Sequence, residues 1–229
     1  MKVVIISGGH IEDNFALEWL QENKYELLIV ADSGMEFLFR NQLVPDVIAG
    51  DFDSVRQEAY EHFVGEGMED ASCEGTWKKD KKTEILRLNP IKDDTDTEFV
   101  IREAIRRGAT SITVLGGTGT RLDHVMGNVH LLGIGLGCNV EIELVDAHNR
   151  VRMISSELVL EREKQFGDFV SILPFAGDAK GVTLKGFKYP LDKAVVKSFS
   201  SLGISNEIVE DKAVVQVEEG VLLVIESRD

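Results

Sequence analysis

The chain has 229 residues, of which 43% are hydrophobic and 28% charged, and its formal net charge is −15. This length suits one large domain or two modest ones, each with its own core. The negative charge excludes a surface built for nucleic acid or an anionic membrane. A phosphate-bearing ligand must then be met by local cations, backbone N–H groups or metal ions held on carboxylates.

The opening of the chain and its cysteines bear on its location in the cell. The first apolar run, residues 2–6, is too short for a signal peptide, and no run approaches the roughly 20 apolar residues of a membrane span. Cys73 and Cys138 show no CxxC spacing, so we interpret them as free thiols in a reducing compartment. We expect a cytoplasmic protein with no membrane attachment.

Apolar, β-branched runs alternate with helical patterns as far as about residue 147. The expected strands are 2–6, 27–31, 47–49, 85–88, 111–115 and 140–145, and the expected helices are 15–23, 35–41, 55–64, 100–105 and 125–136. Ser54 is a candidate N-cap, Gly108 is a candidate C′ glycine, and residues 65–91 are expected to form a loop plus the short strand at 85–88. This order predicts a mostly parallel sheet with helices on both faces.

The pattern changes after about residue 147 to short β-rich runs. These runs are 151–154, 158–160, 169–173, 182–184, 194–196, 213–217 and 221–225. Turn signals at 167–168, 177–178 and 219–220 separate several of them. Strands at this spacing predict a smaller, antiparallel β-sandwich domain, with domain bounds of 1–147 and 148–229.

Four polar clusters stand out in the α/β part. They are residues 31–34 (ADSG), 50–54 (GDFDS), 92–96 (KDDTD) and 116–124 (GGTGTRLDH). Three directly follow strand patterns and one opens a helical pattern, so we expect them to meet in the crevice at the carboxyl edge of the sheet. Carboxylates, glycines and an arginine gathered there suit a magnesium-bound polyphosphate.

Each acidic cluster has two interpretations. In an extended segment, Asp51 and Asp53 face one side as a pair able to hold Mg²⁺, while Phe52 faces the core; the alternative is a turn. Asp93, Asp94 and Asp96 either offset the dipole of the helix that they open or contribute ligands.

The glycine cluster is equally open. Gly116-Gly117-Thr118-Gly119 is neither a Walker A loop nor GxGxxG, but its N–H groups can approach a phosphate that Arg121 neutralises. A plain glycine turn is the alternative. His10 and His124 lie beside clusters and are either structural or proton-transfer groups.

In this order, GDFDS, DDTD and GGTGxRLDH resemble the motifs of the thiamine pyrophosphokinase family, bacterial type. The likeness spans nearly the whole chain and includes YPL at 189–191 and GISNE at 203–207. It implies a homodimer whose N-terminal domain binds ATP and Mg²⁺ and whose C-terminal β-sandwich contributes to a thiamine site. The implied reaction transfers pyrophosphate from ATP to the thiamine hydroxyl, giving thiamine diphosphate and AMP.

The resemblance also implies residue roles. The metal ligands are Asp51, Asp53 and Asp96; the nucleotide or phosphate contacts are Asp32, Ser33, Thr95, Gly117, Thr118, Gly119 and Arg121; Asp123 joins the metal ligands and Arg121 as catalytic; and Ser205 and Asn206 contact thiamine. The chain departs from the family pattern at Thr120, where glycine is usual, and at Met35, where alanine is common.

Two other functions compete with this interpretation. A metal-dependent phosphohydrolase usually places its nucleophilic aspartate after the first strand, where this chain has Ser7-Gly8-Gly9. A non-catalytic nucleotide sensor does not explain three metal-type carboxylates beside a separate β domain. Attack by an alcohol at the β-phosphorus needs charge neutralisation and in-line positioning, which the clusters can supply; the group that takes the hydroxyl proton stays open.

Overall fold

The computed structural model describes residues 1–65, 75–79, 83–91 and 93–229, with the backbone alone for 75–79. Cys73 and Lys92 lie outside the described residues, and Cys138 is an exposed free thiol. The chain divides into two compact units, Met1–Leu131 with Cys138–Ala147 and Leu132–Gly137 with His148–Asp229. In the part that the structure describes, no helix is long and apolar enough to cross a bilayer.

The first unit alternates strands and helices. Its strands are β1 (Lys2–Ile6), β2 (Leu27–Ala31), β3 (Val47–Gly50), β4 (Gly75–Lys79), β5 (Thr83–Arg87), β6 (Ser111–Leu115) and β7 (Glu141–Val145). Its helices are α1 (Asp13–Glu22), α2 (Met35–Arg40), α3 (Gln57–Phe63) and α4 (Asp96–Arg106), and α5 (Leu122–Cys138) begins in it. Apart from β4, the predicted order of these elements is confirmed.

The sheet of the first unit has the strand order β4-β5-β3-β2-β1-β6-β7. Every neighbouring pair is parallel except β4 with β5. The chain leaves β1 toward β2 on one side and later places β6 on the other, so the order reverses at β1. Ligands of open α/β sheets bind outside the carboxyl ends of the strands at such a reversal.

Local sequence explains these elements, with two corrections. Residues 3–6 of β1 are all buried, as expected of a parallel strand covered on both faces. The predicted N-cap role of Ser54 is wrong, because α3 begins later and has Arg56 at its N-cap. The loop expected over 65–91 also contains β4, which the sequence did not reveal. Gly108 follows α4 with a φ of 90°, as a C′ glycine requires.

The second unit consists of antiparallel strands that enclose one core. Its strands are β8 (Asn149–Ile154), β9 (Glu157–Glu161), β10 (Phe169–Lys185), β11 (Leu191–Val196), β12 (Lys212–Gln216) and β13 (Glu219–Ser227). β13 lies between β8 and the first half of β10. The second half of β10 pairs with β11 and β12, and β12 pairs with β9. Side chains from both ladders share the core, which confirms the predicted sandwich.

The long strand β10 links the two ladders. Its pairing with β13 shifts register between Phe175 and Lys180, where Ala176 and Gly177 have φ values of 61° and 142°. The turn that the sequence indicated at 177–178 is therefore a bend within one strand. The wrong expectation has a physical reason: glycine relieves the same backbone restriction in a bulge as in a hairpin turn.

A buried ion-pair group lies in the second unit. Glu226 of β13 is only 1% exposed. It accepts a hydrogen bond from the Arg152 guanidinium and one of 3.1 Å from the Phe166 N–H, and Arg150 lies 3.8 Å away. Removing Glu226 leaves the half-buried Arg150 and Arg152 without their counter-charge, which costs more than the loss of an exposed pair.

We therefore expect Glu226→Ala to lower the free energy of unfolding by about 3–5 kcal/mol, measured by urea denaturation. The matched control is Glu219→Ala on the same strand, because the Glu219–Lys180 pair is more than half exposed. That variant should leave the urea midpoint close to that of wild type, because a solvent-exposed pair contributes little to stability. Equal losses in the two variants would contradict a special role for burial.

Candidate active site

A cavity of about 350 Å³ opens in the first unit at the carboxyl edge of its sheet. Its wall is made of the segments 7–10, 31–33, 95–97 and 116–121, together with Ser54, His124 and Asn128. Three of the four polar clusters reach this wall with several residues, and the 50–54 cluster reaches it through Ser54. The expectation that the clusters meet in one crevice is confirmed.

Two glycine-containing loops touch each other at the cavity, main chain against main chain. The Gly9 N–H donates a hydrogen bond of 3.0 Å to the Gly116 carbonyl oxygen. A Cβ atom at Gly9 would lie 2.3 Å from that oxygen, and Gly116 itself has a φ of 72°. Both positions therefore require glycine for the packing of the loops, whatever ligand they meet.

Three carboxylates form a compact cluster beside the cavity. One oxygen from each of Asp32, Asp51 and Asp96 lies within 4.8 Å of the others. Ser54 donates a hydrogen bond to Oδ2 of Asp32, whereas Oδ1 is buried without a hydrogen-bond partner in the part of the chain that the structure describes. Oxygen donors in this number fit Mg²⁺, which prefers carboxylates and leaves further positions for phosphate oxygens.

The backbone brings Asp32 unusually close to the neighbouring strand end. Asp32 opens a single 3₁₀ turn after β2 and has a φ of 43°, a region that aspartate tolerates better than most residues. A Cβ atom at Gly50, which ends β3, would lie 3.0 Å from the Asp32 Cα. The absence of a side chain at Gly50 thus permits the approach that places Asp32 beside Asp51.

The carboxylate cluster is electrostatically strained. Burial raises the pKa of the Asp32 carboxyl above its ordinary value, and the Asp96 and Asp51 carboxylates raise it further. Hydrogen bonds from the Ser54 hydroxyl and the Ser33 N–H oppose this rise without cancelling it. A bound cation would reverse the balance, because it favours the charged carboxylates.

The segment 51–53 does not have the extended geometry expected from the sequence. Phe52 has a φ of 67° and is buried, with its ring 5.8 Å from that of Tyr60. The chain turns there, and the Asp53 N–H donates a 3.2 Å hydrogen bond to Oδ1 of Asp51. Asp53 is exposed and lies outside the Asp32–Asp51–Asp96 cluster. Its role as a metal ligand stays a prediction.

The start of α4 places the third carboxylate. Thr95 caps the helix by accepting a 3.2 Å hydrogen bond from the Glu98 N–H, and Asp96 is the first helical residue. Next to it, the buried Thr97 hydroxyl lies 2.7 Å from that of Ser7, at the end of β1. This hydroxyl pair ties the helix start to the sheet edge. Asp93 and Asp94 are exposed and do not line the cavity.

Arg121 and Asp123 form an exposed pair at the beginning of α5. Their side chains lie 2.6 Å apart and are 69% and 65% exposed. The hydrogen bond from Arg121 lowers the pKa of Asp123, and the same bond raises the pKa of Arg121. Arg121 lines the cavity and Asp123 does not. The pairing leaves the guanidinium at the rim, with solvent access.

Ser205 and Asn206 lie in the second unit and differ in environment. Asn206 is 3% exposed, and its amide group donates 2.8 Å to the Tyr189 carbonyl and accepts 3.0 Å from the Tyr189 N–H. Ser205 is exposed, has a φ of 55° and donates its N–H to the Ser171 hydroxyl. The Asn206 amide thus stabilises the fold, while the Ser205 hydroxyl faces solvent.

Several side chains at the site were not among the predicted site residues. These are Ser7, Ser54, Thr97, Asn128 and Asp146. Ser7 and Asp146 directly follow β1 and β7, a position that could have marked them from the sequence. Asn128 lies inside α5, and nothing in the local pattern distinguishes it from an ordinary polar helix residue.

Together, the doubly covered parallel sheet, the glycine loops and the carboxylate cluster define an α/β protein suited to a phosphate-bearing ligand and a divalent cation. The family described as thiamin pyrophosphokinase, catalytic domain, matches residues 19–143, and the thiamin pyrophosphokinase vitamin B1 binding domain matches residues 155–222. The chain belongs to the thiamin pyrophosphokinase family, as its motifs predicted.

Individual relatives agree over nearly full length. Thiamine pyrophosphokinase of Bacillus subtilis is 29% identical over 209 residues, covering 90% of each chain. The crystal structure of the Bacillus subtilis protein superposes with a TM-score of 0.82 at 28% identity, with complete coverage of both chains. The thiamin pyrophosphokinase structure from Geobacillus thermodenitrificans superposes with a TM-score of 0.80 at 27% identity. It covers 100% of this chain and 98% of that one.

We expect Asp32→Asn to raise the melting temperature in EDTA at neutral pH. The folded pKa of Asp32 is raised, so the charged carboxylate destabilises the fold increasingly as pH rises through the window between the unfolded and folded pKa values. The stabilisation should shrink as pH falls through that window. Each kcal/mol relieved corresponds to roughly 2–4 °C at this chain length.

The control for this experiment is Asp94→Asn, which removes an exposed charge near the start of α4. It should leave the melting temperature within about 2 °C of wild type, because surface substitutions rarely exceed about 0.5 kcal/mol. A loss of stability in Asp32→Asn, or an equal gain in both variants, would show that the cluster is not strained.

Proposed function

We propose that this protein transfers the pyrophosphoryl group of ATP to the hydroxyl of thiamine, with Mg²⁺ as cofactor, in the cytoplasm. The observation that carries the proposal is the Asp32–Asp51–Asp96 cluster beside a glycine-walled cavity, in a chain that matches its family over both domains. The products would be thiamine diphosphate and AMP.

The bond changes define what the residues must do. The thiamine hydroxyl oxygen bonds to the β-phosphorus, the bond from that phosphorus to the oxygen bridging it to the α-phosphorus breaks, and the hydroxyl proton is released. Charge neutralisation and in-line positioning dominate such a reaction. When bound, Mg²⁺ supplies positive charge that screens the triphosphate.

The chain's own residues divide this work. Asp32, Asp51 and Asp96 are the proposed cation ligands of the cluster, and Asp53 is a further proposed ligand. Arg121 would contact the α-phosphate as its charge develops, because a guanidinium can bind two phosphate oxygens. Asp123 keeps Arg121 paired in the absence of ligand.

The cavity wall provides the remaining nucleotide contacts. Five of the predicted nucleotide contacts line the cavity: Ser33, Thr95, Gly117, Thr118 and Gly119. Backbone N–H groups of a glycine loop bind phosphate without adding positive side chains, which suits a protein of net charge −15. We assign the nucleotide to the first domain, residues 1–147.

Thiamine is assigned to the second domain, residues 148–229, through Ser205 and Asn206. We also propose that the protein is a homodimer. Large apolar side chains are exposed on the second unit, and a second copy could cover them; they include Val159, Val195, Phe199, Leu202, Ile204 and Val209. Light scattering at micromolar concentration tests the assembly.

The phosphohydrolase alternative loses support at the end of β1. Ser7, which occupies the place of the expected nucleophilic aspartate, is 4% exposed and hydrogen-bonded to Thr97. Incubation with ATP, Mg²⁺ and thiamine separates the candidate functions. AMP that appears only with thiamine supports the kinase, phosphate release without thiamine supports a hydrolase, and no turnover supports a sensor.

Substitution of the two aspartates of GDFDS tests the metal assignment. Asp51→Asn should lower kcat at least ~100-fold, because a neutral amide is a poor Mg²⁺ ligand and sits inside the cluster. Asp53→Asn should lose less, about 10-fold, since Asp53 is exposed. Steady-state rates across a Mg²⁺ titration measure the loss in each variant. A larger loss in Asp53→Asn than in Asp51→Asn would indicate that the cation binds outside the cluster.

The thiamine assignment has its own test. Ser205→Ala removes the hydroxyl proposed to contact thiamine, so thiamine KM should rise about 5-fold. The melting temperature should not change, because the variant keeps the Cβ and the backbone bond to Ser171. Asn206→Ala should lower the free energy of unfolding by about 1–3 kcal/mol, because it leaves Tyr189 backbone groups unpaired. An ATP KM that rises in step with that of thiamine in Ser205→Ala would contradict the division of roles.

A further inference from the structure

The glycine loop 116–120 is held from two sides by side chains that belong to none of the motifs. Asn128 of α5 donates its side-chain N–H to the Gly117 carbonyl oxygen at 2.7 Å. The Thr118 hydroxyl donates to Oδ2 of Asp146 at 2.7 Å. Asp146 directly follows β7 and does not line the cavity, and its bond to Thr118 links it to the cavity wall.

The bond from Asn128 determines how the peptide between Gly117 and Thr118 is oriented. In a trans peptide the C=O and the N–H point in opposite directions, so a captured carbonyl also sets the direction of the Thr118 N–H. Glycines flank this peptide at 116, 117 and 119, and they allow it to rotate at little steric cost. Without Asn128, the loop would be free to present a carbonyl oxygen, which repels phosphate.

The bond to Asp146 occupies the only proton of the Thr118 hydroxyl. A hydroxyl has one donor, and a carboxylate acceptor makes the bond stronger than one between neutral groups. The Thr118 hydroxyl therefore cannot donate to a phosphate oxygen while this bond exists. Any attraction of Thr118 for a phosphate must come from its backbone N–H.

We propose that Asn128 and Asp146 are positioning residues that set the main chain of the glycine loop for a triphosphate. Thr118 serves that ligand through its backbone, and its side chain serves the bond to Asp146. The identity of the ligand rests on the proposed function. The positioning itself exists without the ligand and can be measured without it.

A matched control lies on β6 and β7, the two strands that precede Thr118 and Asp146 in the chain. Thr113 of β6 donates its hydroxyl to Oε1 of Glu143 of β7 at 2.8 Å, and the two residues are register partners. Neither lines the cavity. Thr113→Val thus removes an equivalent hydroxyl–carboxylate bond between the same strands, away from the glycine loop.

The experiment compares Thr118→Val, Asp146→Ala, their double variant, Asp146→Asn, Asn128→Ala and the control Thr113→Val. Calorimetry measures ATP binding with Mg²⁺ and without thiamine. Thr118→Val, Asp146→Ala and Asn128→Ala should each weaken ATP binding about 5- to 30-fold. The Thr118→Val/Asp146→Ala double variant should bind ATP no more weakly than the weaker-binding of its two single variants, because both substitutions remove the same bond. Asp146→Asn should bind ATP nearly as tightly as wild type, since its amide oxygen still accepts the Thr118 hydrogen bond. Thr113→Val should have an unchanged affinity for ATP.

Amide hydrogen exchange of the ligand-free protein is the second readout. Exchange at residues 116–120 should rise in Asp146→Ala and Asn128→Ala and stay at the wild-type rate in Thr113→Val. Multiplied losses in the double variant, or a Thr113→Val loss as large as that of Asp146→Ala, would overturn the inference. Wild type that binds no ATP would refute the proposed function instead, and unchanged exchange in Asp146→Ala and Asn128→Ala would refute the positioning.

Discussion

Repulsion among Asp32, Asp51 and Asp96 is the constraint around which the first unit is arranged. Three like charges within 4.8 Å oppose folding in the absence of a cation, and one of them has a buried oxygen with no hydrogen-bond partner among the described residues. Side chains free to turn would separate. They stay together because each is anchored at the end of a strand or the start of a helix, where the backbone has little freedom.

That anchoring is built mainly from close backbone contacts and buried hydroxyl bonds. Gly50 lets Asp32 approach β3, the Ser7–Thr97 pair fastens the start of α4, and Gly9 packs directly on Gly116. This frame gathers three carboxylates beside the cavity at one point, where one cation can reverse their repulsion of a phosphate. The glycine loops then offer N–H groups that carry no net charge.

Much of this could be predicted from the sequence, and the failures at the site itself arise mainly from contacts between distant segments. The hydrophobic periodicity and the turn residues predicted most strands and helices. That ligands bind at the carboxyl ends of parallel strands predicted that the polar clusters meet in one crevice. The sequence did not predict that Asp51 lies beside Asp32 and apart from Asp53. This arrangement depends on the left-handed turn at Phe52 and on contacts between strands that are distant in sequence. Asn128 was not predictable for the same reason, since its partner Gly117 lies outside its own helix, whereas the position of Asp146 directly after β7 could have marked it.

A crystal of the protein soaked in Mn²⁺, with anomalous differences measured at the manganese edge, tests the central claim most directly. Manganese takes the oxygen ligands that magnesium takes, and its anomalous signal identifies the ion without reference to activity. The account predicts a peak within coordination distance of the Asp32, Asp51 and Asp96 carboxylates. A peak that contacts Asp53 and none of these three, or fully soaked crystals with no peak in the crevice, would contradict it.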